Sequence, residues 1–212
     1  MREDFERRLK IVDDLKREGV NPYPHSYKFT HTVEQITKDV EKNGLLNDEI
    51  STMGRIYAIR HHGKSSFIDI VDNDHSLQCN LRFDELGDHE YNFFKRHVER
   101  GDIVGVTGML FNTKAGELTI LVKNFALLCK ALYDMPSKWF GLKNVEKRYR
   151  QRYLDLLLNR DVRTTFITRS RIVAETRLFF DDLNFIEVEP PLIQPKYGGA
   201  NAKPFKTYVN AF

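Results

Sequence analysis

Apolar positions change their spacing twice along the chain, and each change marks a new kind of element. Over residues 2–18, Phe5, Leu9, Val12 and Leu15 recur three or four apart among charges, which predicts an amphipathic helix. Gly19 suits its C-terminal cap, and Asn21-Pro22-Tyr23-Pro24 enforces an extended exit. A shorter helix is predicted over about 33–42, with Thr32 and Gln35 as a capping box and Gly44 as its stop. From about Ile50 the period falls to two. Residues 53–60, 66–72 and 77–82 predict strands, with His61-His62-Gly63-Lys64 and Asn73-Asp74-His75 as the turns between them. Residues 88–98 return to helical spacing through Phe94 and Val98. Residues 102–111 and 117–122 predict a hairpin across Thr113-Lys114-Ala115-Gly116.

Three strands, a helix and two strands is the order of a five-stranded OB barrel. Past the barrel, a Pro-containing connector carries the single tryptophan, Trp139. A charged stretch from Gly141 to Arg163 then reads from its pattern as a charged surface helix anchored by Tyr149, Tyr153, Leu154, Leu157 and Leu158, with a hinge helix touching RNA phosphate as the functional alternative. A long helix follows at about 162–183, with Phe166, Val173, Phe180 and Leu183 on one face and Ile172 and Phe179 beside it. Residues 185–189 alternate as a strand before Pro190-Pro191 stops it. The expected organisation is a helical lead-in over 1–45, a barrel over 46–130, a linker and hinge over 131–160, and a second domain begun over 161–212.

Strand parity carries a functional hint. Ile68 and Ile70 share the core face, which turns Phe67 outward beside Asp69. Leu77, Cys79 and Leu81 point inward, so Gln78 faces out. An outward aromatic and an outward amide on strands 2 and 3 of an OB barrel lie on its nucleic-acid face. The same parity also suits a Phe67 packed under a neighbouring loop or helix.

With 41% hydrophobic and 30% charged residues, the chain can build a core. No run of about 18 apolar residues predicts a membrane span, and Met-Arg-Glu-Asp-Phe-Glu-Arg-Arg has no apolar stretch behind it, so no signal peptide is read. Cys79 and Cys129 lack metal-ligand spacing and read as reduced thiols buried in strands of a cytoplasmic protein. His61 and His62 have no third ligand at a helpful spacing, so no metal site is expected. The net charge of +3 is uneven: residues 1–130 hold 19 basic and 21 acidic residues, and residues 131–212 hold 14 and 9. An acidic barrel that binds RNA must rely on stacking and base-edge contacts more than on phosphate charge.

The stretch GLKNVEKRYRQRYLDLLLN, residues 141–159, resembles the junction just before the catalytic domain of class II lysyl-tRNA synthetases; aspartyl and asparaginyl relatives carry a looser version. The resemblance implies that residues 161–212 begin a class II α+β catalytic domain, giving a β plus α/β multidomain chain. It implies that Phe67 stacks the middle anticodon base and Gln78 bonds its edge, with Arg60 and Glu117 also contacting the anticodon. It places Phe179, Phe185 and Pro191 in motif 1, the dimer interface, although Glu189-Pro190-Pro191 stands where the family has Glu-Thr-Pro. It reads Gly198 and Gly199 as a loop closing on L-lysine, where two glycines let backbone approach a substrate amine. The implied parent is a homodimeric lysine–tRNA ligase that uses ATP and Mg2+ to join lysine to tRNA(Lys) through a lysyl-adenylate. In the family, the arginine gripping ATP, the acidic metal ligands and the last Gly-rich motif lie beyond the position of Phe212. No catalytic residue is therefore assigned here, and the chain alone is expected not to activate lysine. Two other readings stand beside this one: a non-catalytic OB-fold RNA binder, and a dimerising regulatory fragment.

Overall fold

The period-two segment folds because each strand has one apolar side to bury. A computed structural model of the chain describes residues 2–46, 48–135, 142–193 and 203–208. They form two units, residues 1–143 and 144–212. In the first, α1 (Arg2–Arg17) and α2 (Val33–Asn43) precede β1 (Ile50–His62), β2 (Ser65–Asp72) and β3 (His75–Arg82). α3 (Phe83–His97), β4 (Ile103–Asn112) and β5 (Leu118–Cys129) complete it. The strands close a barrel in the order β1-β2-β3-β5-β4, every pairing antiparallel except β3 with β5. This is the OB barrel that the sequence predicts. Ile56, Ile68, Ile70, Cys79, Leu81, Val104, Ile120 and Val122 are buried in its core. Phe94 of α3 closes one end, meeting Phe125 edge-on at 5.9 Å.

β1 serves two neighbours. Ile50 to Arg55 pair with β4, and Arg55 to His62 pair with β2. A bulge between Ile56 and Ala58 lets one strand bend from one partner to the other. Its length corrects the sequence reading: His61 and His62 belong to β1, and the turn is only Gly63-Lys64. Two other boundaries move, and one helix face changes. α3 begins at Phe83 rather than 88, kinked at Gly87 where φ is 79°. β5 runs on to Cys129, whose thiol is partly exposed rather than buried. The apolar face of α1 is Phe5, Arg8, Ile11, Val12 and Leu15. Leu9 is 40% exposed and Arg8 only 3%. Arg8 replaces it because the surface under α1 presents carbonyls: its guanidinium donates to Ala131 O at 3.1 Å and Arg100 O at 3.3 Å.

Beneath α1 lies a buried ion cluster. The Lys130 ammonium donates to His97 O (2.9 Å), Glu99 Oε2 (3.0 Å) and Asp102 Oδ2 (2.9 Å), which uses all three of its protons. Asp102 also accepts from the Glu99 and Ala131 backbone N–H groups, both at 2.8 Å. Burial holds the Asp102 carboxyl above its ordinary pKa even against Lys130.

In the second unit, α4 (Val145–Arg150), α5 (Arg152–Leu158) and α6 (Arg160–Asp182) follow in order. The predicted hinge helix is thus two short helices broken at Gln151, where ψ is 60°. Buried Asp155 ties them by accepting from Arg148 (2.8 Å), Arg152 and Asn159 (2.6 Å). The predicted strand at 185–189 does not form; a strand needs a neighbour for its backbone, and none pairs with it among the described residues. No helix among the described residues is long and apolar enough to cross a membrane.

Two expectations follow. Lys130→Met leaves the Asp102 carboxylate buried without its counter-ion, and should lower stability by about 3–5 kcal/mol. Urea midpoints check this, and the added change Asp102→Asn, which removes the unpaired charge but keeps an acceptor beside the Glu99 and Ala131 N–H groups, should recover part of the loss. The second concerns acid. His97 is buried, with Nε2 3.2 Å from a Glu18 oxygen. Burial holds its pKa below the ordinary 6.5, with Arg96 acting in the same direction and Glu18 and Asp14 opposing them. The folded state therefore binds this proton less readily than the unfolded state. The contribution is full above pH 6.5 and is lost as pH falls below it. His61 shifts the same way. Thermal midpoints should drop on acidification through about pH 6.5, and His97→Gln should flatten part of that drop.

Candidate nucleic-acid interface

Cross-strand register sorts the outer face of β1, β2 and β3 into three rows. One row is His62, Ser65 and Arg82; the next is Arg60, Phe67 and Asn80; the third is Ala58, Asp69 and Gln78, continued by Thr119 of β5. Phe67 thus stands in the middle of the middle row, half-exposed, as parity predicts. His62 lies edge-on to it, ring centroids 6.3 Å apart. Arg60, directly across from Phe67, reaches diagonally to Asp69 in a two-pronged pair at 2.6 and 2.7 Å. That pair fixes the guanidinium plane beside the aromatic ring.

Gln78 departs from expectation. It points outward, but only 9% of it is exposed, because its neighbours close over it. Its Nε2 donates to Glu117 Oε2 at 2.8 Å, and its Oε1 accepts from Thr119 Oγ1 at 2.9 Å. A glutamine amide has two N–H donors and two acceptor lone pairs. One donor and one lone pair remain, held in a fixed plane. Glu117 itself is exposed at the end of the hairpin, which its backbone closes through Thr113 at 3.0 and 3.1 Å. A cavity of about 490 Å3 opens among Asp69, Gln78 and Glu117, with Thr37 of α2 and Tyr57 on its far walls.

The structure therefore gathers Arg60, Phe67, Gln78 and Glu117 on one face. It adds two residues that the sequence reading did not place in the site. Thr119 orients the Gln78 amide, and Asp69 orients Arg60. Parity marks Asp69 as outward, beside Phe67. Nothing local marks Thr119, since it meets Gln78 through a parallel pairing of strands some forty residues apart. In the second unit, Phe179 and Phe185 are 60% and 62% exposed, each packed against Phe180 at 5.4 and 5.5 Å, and Pro191 is exposed. Gly198 and Gly199 lie outside the described residues.

Residues 50–128 match the family model of the OB-fold nucleic acid binding domain, and residues 144–212 match that of class II tRNA synthetases of the D, K and N type. An OB-fold domain joined to the opening of a class II synthetase domain is therefore the class of protein defined here. Within that class, the chain belongs to the lysine–tRNA ligase family. It is 48% identical over 210 residues to the lysine–tRNA ligase of Saccharolobus solfataricus, with 97% of this chain and 42% of that protein covered. It is 46% identical to that of Methanoculleus marisnigri (96% and 41% covered) and 44% identical to that of Thermosipho melanesiensis (100% and 43%). The chain spans about two fifths of the length of these relatives.

Thr119→Val keeps the shape but removes the hydroxyl that Gln78 accepts from. The buried amide oxygen then lacks that donor, and stability should fall by about 1–3 kcal/mol. In NMR spectra the Gln78 side-chain N–H that donates to Glu117 should exchange faster in the variant than in the parent.

Proposed function

We propose that this chain is the anticodon-reading part of a lysine–tRNA ligase, with the barrel's outer face as the reading surface. The observation that carries the reading is the half-exposed Phe67 ring, set between the Arg60–Asp69 pair and the pre-oriented Gln78 amide. A base laid on Phe67 gains about 1–3 kcal/mol from stacking. The free N–H and lone pair of Gln78, and the remaining lone pairs of Glu117, meet its edge. A carboxylate there accepts from a base N–H and repels an acceptor edge, so it supports discrimination more than affinity. The partner is tRNA(Lys), whose anticodon is rich in uridine, and the setting is cytoplasmic.

The parent reaction joins L-lysine to the tRNA through a lysyl-adenylate, with ATP and Mg2+. None of the described residues is assigned to those cofactors. Gly198 and Gly199 are proposed for the lysine loop on sequence grounds. Phe179, Phe185 and Pro191 are proposed for the dimer interface; the exposed aromatic cluster around Phe180 supports that role.

Phe67→Ala should weaken binding of a lysine-tRNA anticodon stem-loop by about ten- to a hundredfold. Gln78→Ala should lose less affinity but relax discrimination at the middle base, since it removes an edge contact. Titration of both variants against cognate and middle-base-substituted stem-loops at one salt concentration checks this. Binding of Phe67→Ala as tight as the parent's, with the fold intact, would make the ring a packing residue and end the reading.

A further inference from the structure

The row beside Phe67 holds a second feature, a cleft of about 620 Å3 lined by His62, Lys64, Ser65, Arg82, Phe83 and Asp84. The geometry points to this cleft as a binding site for one RNA phosphate, next to the base stacked on Phe67, with Lys64 as its cation. The inference rests on the anticodon reading of the outer face and deepens it.

Charge singles out Lys64. Arg60 is taken up by Asp69, and Arg82 by Asp84 through Nε at 3.0 Å and a second, shorter bond. Lys64 has no carboxylate partner among the described residues. Its ammonium rests 5.2 Å above the Phe83 ring centroid. With Lys64, Arg82 and Asp84 on its walls and histidine neutral, the cleft carries a net charge of +1, which one phosphodiester cancels. In a domain that is otherwise acidic, such a point fixes where a backbone can run.

The cleft is also held in shape. The Lys64 carbonyl accepts from the Phe83 N–H at 2.9 Å, which ties the β1–β2 turn to the start of α3. Phe83 meets Tyr91 edge-on at 5.8 Å. The Tyr91 hydroxyl lies 2.9 Å from Ser66 Oγ and donates to Gly63 O at 3.4 Å, and His61 Nδ1 is 2.8 Å from the same Ser66 Oγ. Gly63 takes the positive φ of 58° that the turn needs. A second donor is ready. Asn80 Nδ2 donates to Ser65 Oγ at 2.8 Å, so the Ser65 proton is free to point outward at a phosphate oxygen.

Position selects RNA backbone over a free anion. Ser65 precedes Phe67 by two residues on the same side of β2, about 7 Å along the strand. His62 touches both places: its ring lies against Phe67 and also forms a wall of the cleft. A strand whose base is stacked on Phe67 therefore leaves the ring across Ser65 and Lys64.

The test is the salt dependence of anticodon stem-loop binding by the 212-residue chain. Losing one phosphate contact on a single strand changes the slope of log K against log salt by about 0.7, and weakens binding about fourfold near 0.15 M salt. Lys64→Gln should show both effects, with an unchanged thermal midpoint, and Lys64→Arg should restore both. Phe67→Ala, measured alongside, should weaken binding without changing the slope. If Lys64→Gln keeps the parent slope while Phe67→Ala binds weakly, the phosphate site is overturned and the anticodon reading stands. If Lys64→Gln flattens the slope while Phe67→Ala binds as the parent does, the site stands and the stacking assignment fails. Failure of the parent chain to bind the stem-loop overturns both.

Discussion

Closure of the barrel through the parallel pairing of β3 with β5 is the constraint on which the site depends. Four residue pairs make it, from Gln78 with Thr119 to Leu81 with Val122. This register sets Thr119 and Glu117 beside the Gln78 amide. A slip of one residue would turn Gln78 into the core and push Leu77, Cys79 and Leu81 onto the surface. β4 holds β5 in place, and the two backbones come close where their register shifts at Gly108. A Cβ there would stand 1.9 Å from the Leu121 carbonyl oxygen, so a side chain would force β5 outward, and Thr119 with it. The residue that makes the amide usable is thus a glycine on another strand.

Much of this was legible because it is local. Alternation in Ser66-Phe67-Ile68-Asp69-Ile70 decides which way Phe67 points, and the core outcome follows from the burial of Ile68 and Ile70. The capping box at Thr32 and Gln35 is likewise a matter of neighbours, and both of its hydrogen bonds form. What the sequence reading missed is non-local. Gln78 looks exposed until β5 arrives beside it. Arg8 looks like a break in an apolar stripe until the carbonyls of Arg100 and Ala131 supply its partners. The segment 185–189 has the alternation of a strand, but alternation describes a side-chain pattern; hydrogen bonding to a neighbour makes the strand. The helical period of α6 is read correctly, yet Ile172, Phe179 and Phe180 remain exposed. Periodicity reports that a helix has an apolar face without saying what covers it.

Two kinds of ion pair serve different ends in the barrel. Lys130 and Asp102 are both fully buried, and their pairing shapes the surface on which α1 sits. Such a pair contributes little net stability over an apolar equivalent, but it tolerates no loss of one partner. Arg60 and Asp69 are partly exposed, at 43% and 29%. Their pairing is worth at most about 1 kcal/mol to the fold. What it changes is orientation, since an unpaired arginine would sweep the face around Phe67. In the proposed reading the exposed pair therefore serves recognition, while the buried pair serves architecture.

Paired charges also let an acidic barrel face a polyanion, as the proposed function requires. Residues 1–130 carry a net charge of −2, so long-range attraction cannot hold RNA there. The carboxylates that would repel it are engaged: Asp69 by Arg60, Glu117 by Gln78, Asp84 by Arg82. Each of these acids fixes a neighbouring donor in place. Electrostatics on this face thus works through geometry rather than through net field. On the proposed reading, binding then depends on whether a base fits the ring and the amide. A surface built in this way sacrifices affinity for unrelated RNA, because phosphate charge alone finds little to hold it. On that reading, selectivity and weak non-specific binding share an origin in the pairing of nearly every charge around Phe67.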